Sequence, residues 1–493
     1  MRIRDIIRKR RATRNDGQRL LQSLEDRSLY SATPTVTLDF DNTGEMIDES
    51  FEFSALFDNT APLSTETGFG PYIDLHVKPG FQINSASLIG TNVSITLAGE
   101  FNSSGDLIVL GSGDPGTITS HPLLETPVTG GTPGDLLYVL ELPVGSVTVD
   151  QPILDVEINA TLSTSDGAIP GIPLAISAQG GFQYGEDALD NPIPDPPILG
   201  AADSDSVTPV VILIDKDSAS ETATGPNFAR TYTLRIDIAD GATVDNIDIR
   251  DILPNTLEYK SGTISITPGG SVTTEPTSPG PQNPPSNQLL VEYASFTGTA
   301  SDSDIIVTYQ AFVPEFDADL NDVIDPLSGD DVSVVNESSV SGDYGVLPVS
   351  HGTDSPSGVF DNDDSDWDLI AKSIAIQKGL VHQEVNAVTG VNPGDKIEYT
   401  LSFQVSDFFE FDDIIIDDVL DDGLRFDATF APTMAFFENG TTLSATAIDA
   451  ANFTETINSP GDGSTNLQFR VSDELVTRGA DSILTGDLYA EAV

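Results

Sequence analysis

Two segments of the chain repeat each other, and this repeat limits the folds that the chain can adopt. Residues 232–259 align without gaps on residues 399–426, and ten of the 28 aligned positions are identical. In both copies a stretch of alternating apolar and polar residues begins at a tyrosine, Tyr232 or Tyr399, and such alternation predicts a half-buried β-strand. We therefore expect at least two tandem modules of one fold, each built from paired strands.

The same alternation continues along most of the chain. Stretches such as residues 156–162 are bounded by Gly, Pro, Asn and Asp, at spacings typical of antiparallel β-sandwiches. The chain contains 42 Gly, 32 Pro and no Cys, a composition that favours a turn-rich β protein over a helical bundle or a disulfide scaffold. We predict an all-β fold of tandem antiparallel β-sandwich modules.

Two polar segments divide the chain into modules. Residues 189–206 and 351–366 are rich in Pro, Gly and Asp, so they cannot bury enough apolar surface to offset the entropy lost on ordering. The chain, at 493 residues, also exceeds the size of about 250 to 300 residues at which single cores stop growing. We predict a leader at 1–34 and β-sandwich modules at 35–205, 206–355 and 367–493.

The repeat carries further shared features. A predicted strand with one lysine, Lys216 or Lys378, precedes each copy of the repeat. The second copy also contains Gly-Asp-x-x-x-Tyr-Thr at 394–400. These features resemble the DUF11 and fimbrial D2-type repeats of large bacterial surface proteins. The first copy keeps the turn proline of that pattern as Pro254, whereas the second has Asp421. The resemblance implies Ig-like β-sandwich modules in tandem.

The N-terminal segment differs from the rest in charge. Residues 1–30 contain nine basic and four acidic residues, and we expect a short basic leader that is partly helical or disordered. Residues 24–32 resemble the LEPR-XLL motif, an N-terminal signature of very large bacterial surface or secreted proteins, and depart from it at Asp26 and Tyr30. That resemblance implies an export signal elsewhere. The chain contains no run of 18 or more apolar residues, so we predict no transmembrane helix in it.

Charge and composition exclude several classes of function. The chain has 78 Asp plus Glu against 21 Lys plus Arg, a formal charge of -57, which repels nucleic acids and attracts cations. Four scattered histidines and no cysteine argue against a zinc site and exclude a thiol nucleophile. The chain lacks a phosphate-binding glycine loop and a Gly-x-Ser-x-Gly elbow. We predict a protein that is not an enzyme.

Two acidic clusters are candidate calcium sites. In the first, oxygen ligands recur at positions 1, 3, 5 and 9, as in an EF-hand loop: Asp317, Asp319, Asn321 and Asp325. Asp322 replaces the turn glycine of such a loop, so we expect an irregular calcium loop instead. The second cluster lies at a predicted module junction and comprises Asp361, Asp363, Asp364 and Asp366. The alternative for both clusters is a solvated acidic loop.

The D2-type resemblance also implies an intramolecular isopeptide bond. Its partners would be a lysine on the first strand and an asparagine on the last, beside a carboxylic acid; Lys216, Asn336 and Asp251 match those roles. Otherwise Lys216 is an edge or capping residue. The second copy has no segment that matches the strand around Asn336, so we expect a truncated last module with an exposed sheet edge.

These observations leave two classes of function. The first is a secreted or surface-displayed stalk or adhesin-like protein that binds a protein or carbohydrate ligand at the cell surface through loops or strand edges. The second is a set of accessory carbohydrate-binding modules from a larger extracellular enzyme whose catalytic part lies beyond residue 493. Clustered exposed aromatic residues would favour the second, but aromatic residues make up only 7% of the chain.

Overall fold

The structure is a computed structural model that describes most of the chain. The described residues are 32–40, 44–63, 66–186, 196–218, 229–277, 280–301, 303–325, 332–352, 366–372, 374–383, 394–405, 414–421, 423–438, 441–447, 453–457, 464–470 and 489–492. The chain forms two compact units, Met1–Val211 and Ile212–Val493. Over the described residues the regular structure is β-strand apart from one short 3-10 helix, which confirms the all-β prediction. No described helix is long and apolar enough to cross a membrane. Residues 1–31 of the predicted leader lie outside the described residues, and Pro34 at its end already begins a strand.

Unit one contains fourteen described strands and the 3-10 helix at Thr164–Asp166. The strands are β1 Pro34–Asp39, β2 Gly44–Met46, β3 Ser50–Asn59, β4 Thr67–Phe69, β5 Pro71–Val77, β6 Phe81–Leu88, β7 Thr91–Asn92, β8 Ser94–Phe101, β9 Leu107–Ile108, β10 Leu136–Glu141, β11 Ser146–Thr148, β12 Leu154–Leu162, β13 Leu174–Phe182 and β14 Ile198–Val210. One sheet has the order β1-β3-β12-β6-β7, a second has the order β2-β14-β13-β5-β10-β8-β9, and β11 pairs with β4.

The core of unit one lies between its two large sheets. Strands β3 and β12 alternate buried and more exposed residues, as a sheet with one buried face requires. Phe57 of β3 packs edge-to-face on Phe182 of β13 with ring centroids 5.6 Å apart. Strand β5 is buried on both faces, because Tyr72 packs in a second, smaller core with Phe101 and Leu107.

Strand β14 changes the predicted boundary between the first two modules. Residues 198–207 pair with β13, although they belong largely to the segment predicted as a linker, and unit one continues to Val211. Most side chains in the first part of β14 are exposed. Backbone hydrogen bonds to β13 hold this strand, and composition alone does not indicate such pairing.

Unit two begins with a module of eleven described strands. They are β15 Ile212–Ser218, β16 Arg230–Ile238, β17 Thr243–Ile252, β18 Glu258–Tyr259, β19 Ser265–Thr267, β20 Ser271–Thr274, β21 Gln288–Thr297, β22 Ile305–Phe312, β23 Val332–Tyr344, β24 Leu347–Gly352 and β25 Asp366–Ala371. One sheet has the order β15-β16-β22-β18, with β19 also on β22. The other has the order β20-β21-β17-β23-β24, with β25 also on β23.

A second set of strands in unit two contains the other copy of the repeat. It comprises β26 Ile374–Gln383, β27 Lys396–Val405, β28 Ile415–Leu420, β29 Thr433–Glu438, β30 Thr441–Ala447, β31 Phe453–Ile457, β32 Thr465–Arg470 and β33 Tyr489–Ala492. The sheet orders are β26-β27-β33-β29-β30 and β28-β32-β31. Strand β25 contains the predicted start of this module at residue 367, but it pairs with β23 and extends the preceding module.

The two copies share strand register as well as sequence. Lys216 of β15 lies opposite Leu234 of β16, and Lys378 of β26 lies opposite Leu401 of β27. Leu234 and Leu401 occupy equivalent positions of the repeat. The lysines are therefore equivalent in the fold, although each lies outside the aligned segment.

Candidate functional site

Four polar side chains from four strands meet in the interior of the first module of unit two. Three were predicted from the sequence: Lys216 on β15, Asp251 on β17 and Asn336 on β23. The fourth is Tyr309 on β22. The side chains of Lys216 and Asp251 have no exposed surface, and Tyr309 and Asn336 are also fully buried. We call these four residues the buried cluster.

The buried cluster is connected by short polar contacts. Lys216 Nζ lies 2.9 Å from Asp251 Oδ2. The Tyr309 hydroxyl donates to the same carboxylate oxygen at 2.7 Å, and Asn336 Nδ2 donates to the Tyr309 oxygen at 2.7 Å. The Asp251 carboxylate therefore contacts the Lys216 amine directly, and the Tyr309 phenol connects it to the Asn336 carboxamide.

Strand alternation places these polar residues in the interior. The inward positions of β15 are Ile212, Ile214, Lys216 and Ser218, so Lys216 follows two isoleucines on the buried face of the strand. Asp251 and Asn336 also lie at buried positions of alternating strands. A polar residue at an inward position was the signal that could be found in the sequence. Tyr309 carried a weaker signal, because tyrosine also fits an apolar core.

Burial sets the electrostatics of the cluster. Desolvation, and then the nearby carboxylate of Asp251, raise the pKa of Tyr309 well above its ordinary value, so the phenol stays protonated and donates. The Tyr232 ring stacks on Tyr309 at 5.4 Å and lies 5.7 Å from Lys216 Nζ. A fully buried ion pair is costly to desolvate unless its polar atoms are satisfied. Here Asp251 Oδ1 and Asn336 Oδ1 are buried and form no hydrogen bond with any described residue.

The second copy of the repeat contains part of the same arrangement. Lys378 Nζ lies 2.6 Å from Asp418 Oδ1 and 4.2 Å from the centre of the Tyr399 ring. These three residues occupy positions equivalent to Lys216, Asp251 and Tyr232. The Lys378 side chain is 38% exposed, so this lysine is open to solvent where Lys216 is enclosed.

The first predicted calcium loop is held by its own hydrogen bonds. Asp317 Oδ1 accepts the backbone N–H groups of Asp319 and Asn321 at 2.9 and 2.8 Å. The hydrogen bond from the Asn321 backbone is the main cause of a lowered pKa for Asp317. Asp319 accepts a hydrogen bond from Asn283. Within the described residues, no group of three or more His, Cys, Asp or Glu side chains is arranged to hold a metal ion.

The second predicted calcium cluster falls mainly outside the described residues. Asp361, Asp363 and Asp364 lie there, and Asp366 begins β25. Calcium binding at either loop stays a prediction. It is checked by thermal unfolding of the full chain in EDTA, in millimolar calcium and in magnesium at equal ionic strength. We expect calcium to raise Tm by several degrees more than magnesium, because binding to the native state adds to its stability.

The variant Asp317→Asn tests whether the loop at Asp317 is the calcium site. This variant keeps the size of the side chain but removes one anionic ligand, so the calcium-specific increase should fall. Equal shifts in calcium and magnesium would contradict the prediction, since screening of a solvated acidic surface does not distinguish the two ions in this way.

Unit one contains a buried pair of a histidine and an aspartate that the sequence did not indicate. His121 Nε2 lies 2.9 Å from Asp74 Oδ1. His121 Nδ1 accepts the backbone N–H groups of Leu123 and Leu124, each at 3.1 Å. Nε2 therefore carries the ring proton and donates it to Asp74. Both ring nitrogens are engaged, so His121 attaches its loop to β5.

Replacing Asp74 tests this attachment. Asp74→Ala leaves the buried His121 N–H without its acceptor, and we expect the free energy of unfolding of unit one to fall by about 1 to 3 kcal/mol. Asp155→Ala, on an exposed position of β12, should change it by less than about 0.5 kcal/mol. Hydrogen exchange of strand β5 measures the difference, and equal effects of the two variants would contradict the assignment.

Comparison with known proteins identifies similar structures but no family. No protein-family model and no curated protein matches the chain. Among solved structures, the chain is similar to the major pilin subunit of Bacillus cereus, with 11% identity over 75% of this chain and 92% of that chain and a TM-score of 0.23. It is also similar to the collagen adhesin of S. aureus, with 10% identity over 77% and 97% and a TM-score of 0.18. The cohesin module of a Clostridium perfringens family 33 glycoside hydrolase matches 36% of the chain and 97% of that module at 14% identity, with a TM-score of 0.18. At these identities such similarity does not specify a function.

Proposed function

We propose that this chain is a secreted or surface-displayed structural protein, a stalk or adhesin-like chain of β-sandwich modules without enzymatic activity. The observation that carries the proposal is the buried cluster. It joins Lys216 on the first strand of a module to Asn336 near its end through a shared carboxylate. In this proposal Lys216 and Asn336 become joined by an isopeptide bond.

The buried cluster contains the groups that such a bond requires. Transfer of a proton from the Lys216 ammonium to Asp251 gives a neutral amine and a neutral acid, which burial favours over two charges. The amine nitrogen attacks the carboxamide carbon of Asn336, and the Nζ–Cγ bond forms as the bond from that carbon to Nδ2 breaks. Protons passed through Asp251 let Nδ2 leave as ammonia. The new amide and the protonated acid are neutral, which removes the cost of the buried ion pair.

This bond would suit a protein that bears load. It closes a loop of about 120 residues and, by analogy with a disulfide of that span, would stabilise the module by on the order of 5 kcal/mol. It would also carry tension directly between the first and last parts of the module. The strongly acidic composition, with a formal charge of -57, keeps such a chain soluble outside the cell.

The accessory-module alternative receives less support from the described aromatic residues. Four tyrosines, Tyr72, Tyr232, Tyr259 and Tyr309, are among the largest fully buried side chains. Carbohydrate platforms use exposed aromatic faces instead. The ligand class, protein or carbohydrate, stays a prediction.

Mass spectrometry of the full chain tests the cross-link. We expect the intact mass to fall short of the sequence mass by one ammonia molecule, and a proteolytic digest to contain one branched peptide with Lys216 and Asn336. An unshifted mass would overturn the cross-link. Labelling of intact producing cells with an antibody to the folded chain tests surface display separately, and labelling only after lysis would overturn that part.

A further inference from the structure

We propose that Tyr309 is a catalytic residue of the cross-linking reaction, in which its hydroxyl passes a proton from Asp251 to the leaving nitrogen of Asn336. The inference rests on the proposed isopeptide bond and adds a residue that the sequence did not indicate. Tyr309 contacts the reacting group itself, because its hydroxyl oxygen lies 2.7 Å from Asn336 Nδ2.

The leaving nitrogen has one route to an acid. Asn336 Nδ2 must gain a proton before it can leave as ammonia. Within the described part of the chain, Asp251 and Asn336 form no direct hydrogen bond with each other, and the Tyr309 hydroxyl is the one hydrogen-bond partner of Nδ2. All three side chains are fully buried, so bulk water does not reach Nδ2. The phenol therefore connects the acid to the leaving group.

The hydrogen bonds of Tyr309 can reverse direction at the step that needs a proton. In the folded chain the hydroxyl donates to Asp251 Oδ2 at 2.7 Å and accepts from Asn336 Nδ2. Attack by Lys216 Nζ removes the amide resonance of Asn336, so Nδ2 becomes a basic amine with a lone pair. Asp251 has by then received a proton from Lys216. Asp251 can now donate to Tyr309, and Tyr309 to Nδ2, without movement of the heavy atoms.

The protons of the reaction balance through this route. Asp251 takes one proton from the Lys216 ammonium, which frees the amine to attack Asn336 Cγ. The Tyr309 hydroxyl then gives its proton to Nδ2 and takes one from Asp251 Oδ2, and the bond from Cγ to Nδ2 breaks. A second proton from Nζ returns Asp251 to its acid form. The products are one amide, one ammonia and a neutral Asp251, while Tyr309 is unchanged.

Two neighbouring rings hold the phenol in place. Tyr232 lies opposite Tyr309 in the register of β16 and β22, and the two rings stack with centroids 5.4 Å apart. The Tyr259 ring lies against Tyr309 at 6.1 Å. A fixed orientation favours proton transfer, because the donor must stay within hydrogen-bond reach of the atom that it protonates.

The rate of ammonia loss in Tyr309→Phe tests the proposal. The full chain is synthesised in a cell-free system, translation is stopped, and samples taken over time are quenched in denaturant for intact-mass measurement. We expect Tyr309→Phe to cross-link at least about a hundredfold more slowly than the native chain, since proton transfer by a positioned side chain contributes about 10²- to 10⁴-fold. Phenylalanine keeps the ring against Tyr232 and Tyr259, so hydrogen exchange of β22 should show that the module still folds.

The matched control is Tyr232→Phe. It removes a neighbouring buried hydroxyl that forms no hydrogen bond with any described residue, so it should cross-link at the native rate. Equal rates in the native and Tyr309→Phe chains would overturn the relay and leave the cross-link in place. A native chain that never loses ammonia would overturn both.

A second measurement keeps the test decisive if Tyr309→Phe does not fold. Incorporation of 3-fluorotyrosine at position 309 nearly preserves the shape of the side chain and makes the phenol more acidic. We expect this chain to cross-link faster than a chain with 3-fluorotyrosine at position 232, because a stronger acid protonates the leaving nitrogen more readily. Equal rates in the two fluorinated chains would overturn the relay.

Discussion

Asn336→Ala is expected to abolish the ammonia loss and to lower the free energy of unfolding of its module by on the order of 5 kcal/mol. The physical reason is that the variant cannot close the loop from Lys216, so the unfolded chain regains the entropy that the cross-link removes. For a module of this size the loss corresponds to a decrease in Tm of about 10 to 20 °C. Calorimetry of the full chain, with intact-mass measurement of the same samples, gives both quantities.

Two further variants separate the covalent bond from packing. Asp251→Asn keeps the shape of the side chain but removes the acid that receives and returns protons, so we expect the full sequence mass and a lowered Tm. Tyr232→Phe keeps the ring that stacks on Tyr309 and removes a buried hydroxyl that forms no hydrogen bond with any described residue. We expect this control to keep the ammonia loss and to be no less stable than the native chain.

The outcome that would contradict the cross-link is specific. A native chain of full sequence mass that is still destabilised by Asn336→Ala would show that the cluster acts through hydrogen bonds and an ion pair alone. Breaking a buried ion pair can itself cost about 3 to 5 kcal/mol, so stability data without the mass would not distinguish the two cases.

Phe57→Ala is expected to destabilise unit one by about 3 to 5 kcal/mol. Phe57 is fully buried and packs edge-to-face on Phe182. The backbone of Gly180, on the same strand as Phe182, lies so near that an added Cβ would be 2.9 Å from the Phe57 ring. Backbone pairing within each sheet limits how far the two sheets can move into the space left by the Phe57 ring, so much of the cavity should remain.

Hydrogen exchange shows whether the destabilisation by Phe57→Ala is confined to unit one. Protection of β3, β12 and β13 should fall in Phe57→Ala, while strands of unit two keep their protection. Phe57→Leu retains most of the side-chain volume, so protection of these strands should fall less than in Phe57→Ala. Leu199→Ala, at a position of β14 that is 53% exposed, should change protection little. Unchanged protection of β12 in Phe57→Ala would contradict the assigned core.

Local pattern accounted for the fold class, and the resemblance to D2-type repeats supplied three of the four residues of the buried cluster. Alternation with period two is a property of neighbouring residues, so the strands of both repeat copies could be predicted from the chain alone. This inference needs no knowledge of which strands pair. The repeat placed one lysine upstream of each copy, but only the strand register showed that Lys216 and Lys378 are equivalent.

Pairing between distant strands decided the rest. Residues 198–210 form β14 because β13 offers backbone partners, and β25 joins β23 for the same reason. Tyr309 bridges Asp251 and Asn336, and His121 reaches Asp74, only because strands far apart in sequence lie side by side. Register between such strands depends on turn geometry and core packing together. The alternation that shows which way a side chain points therefore does not show which partner it meets.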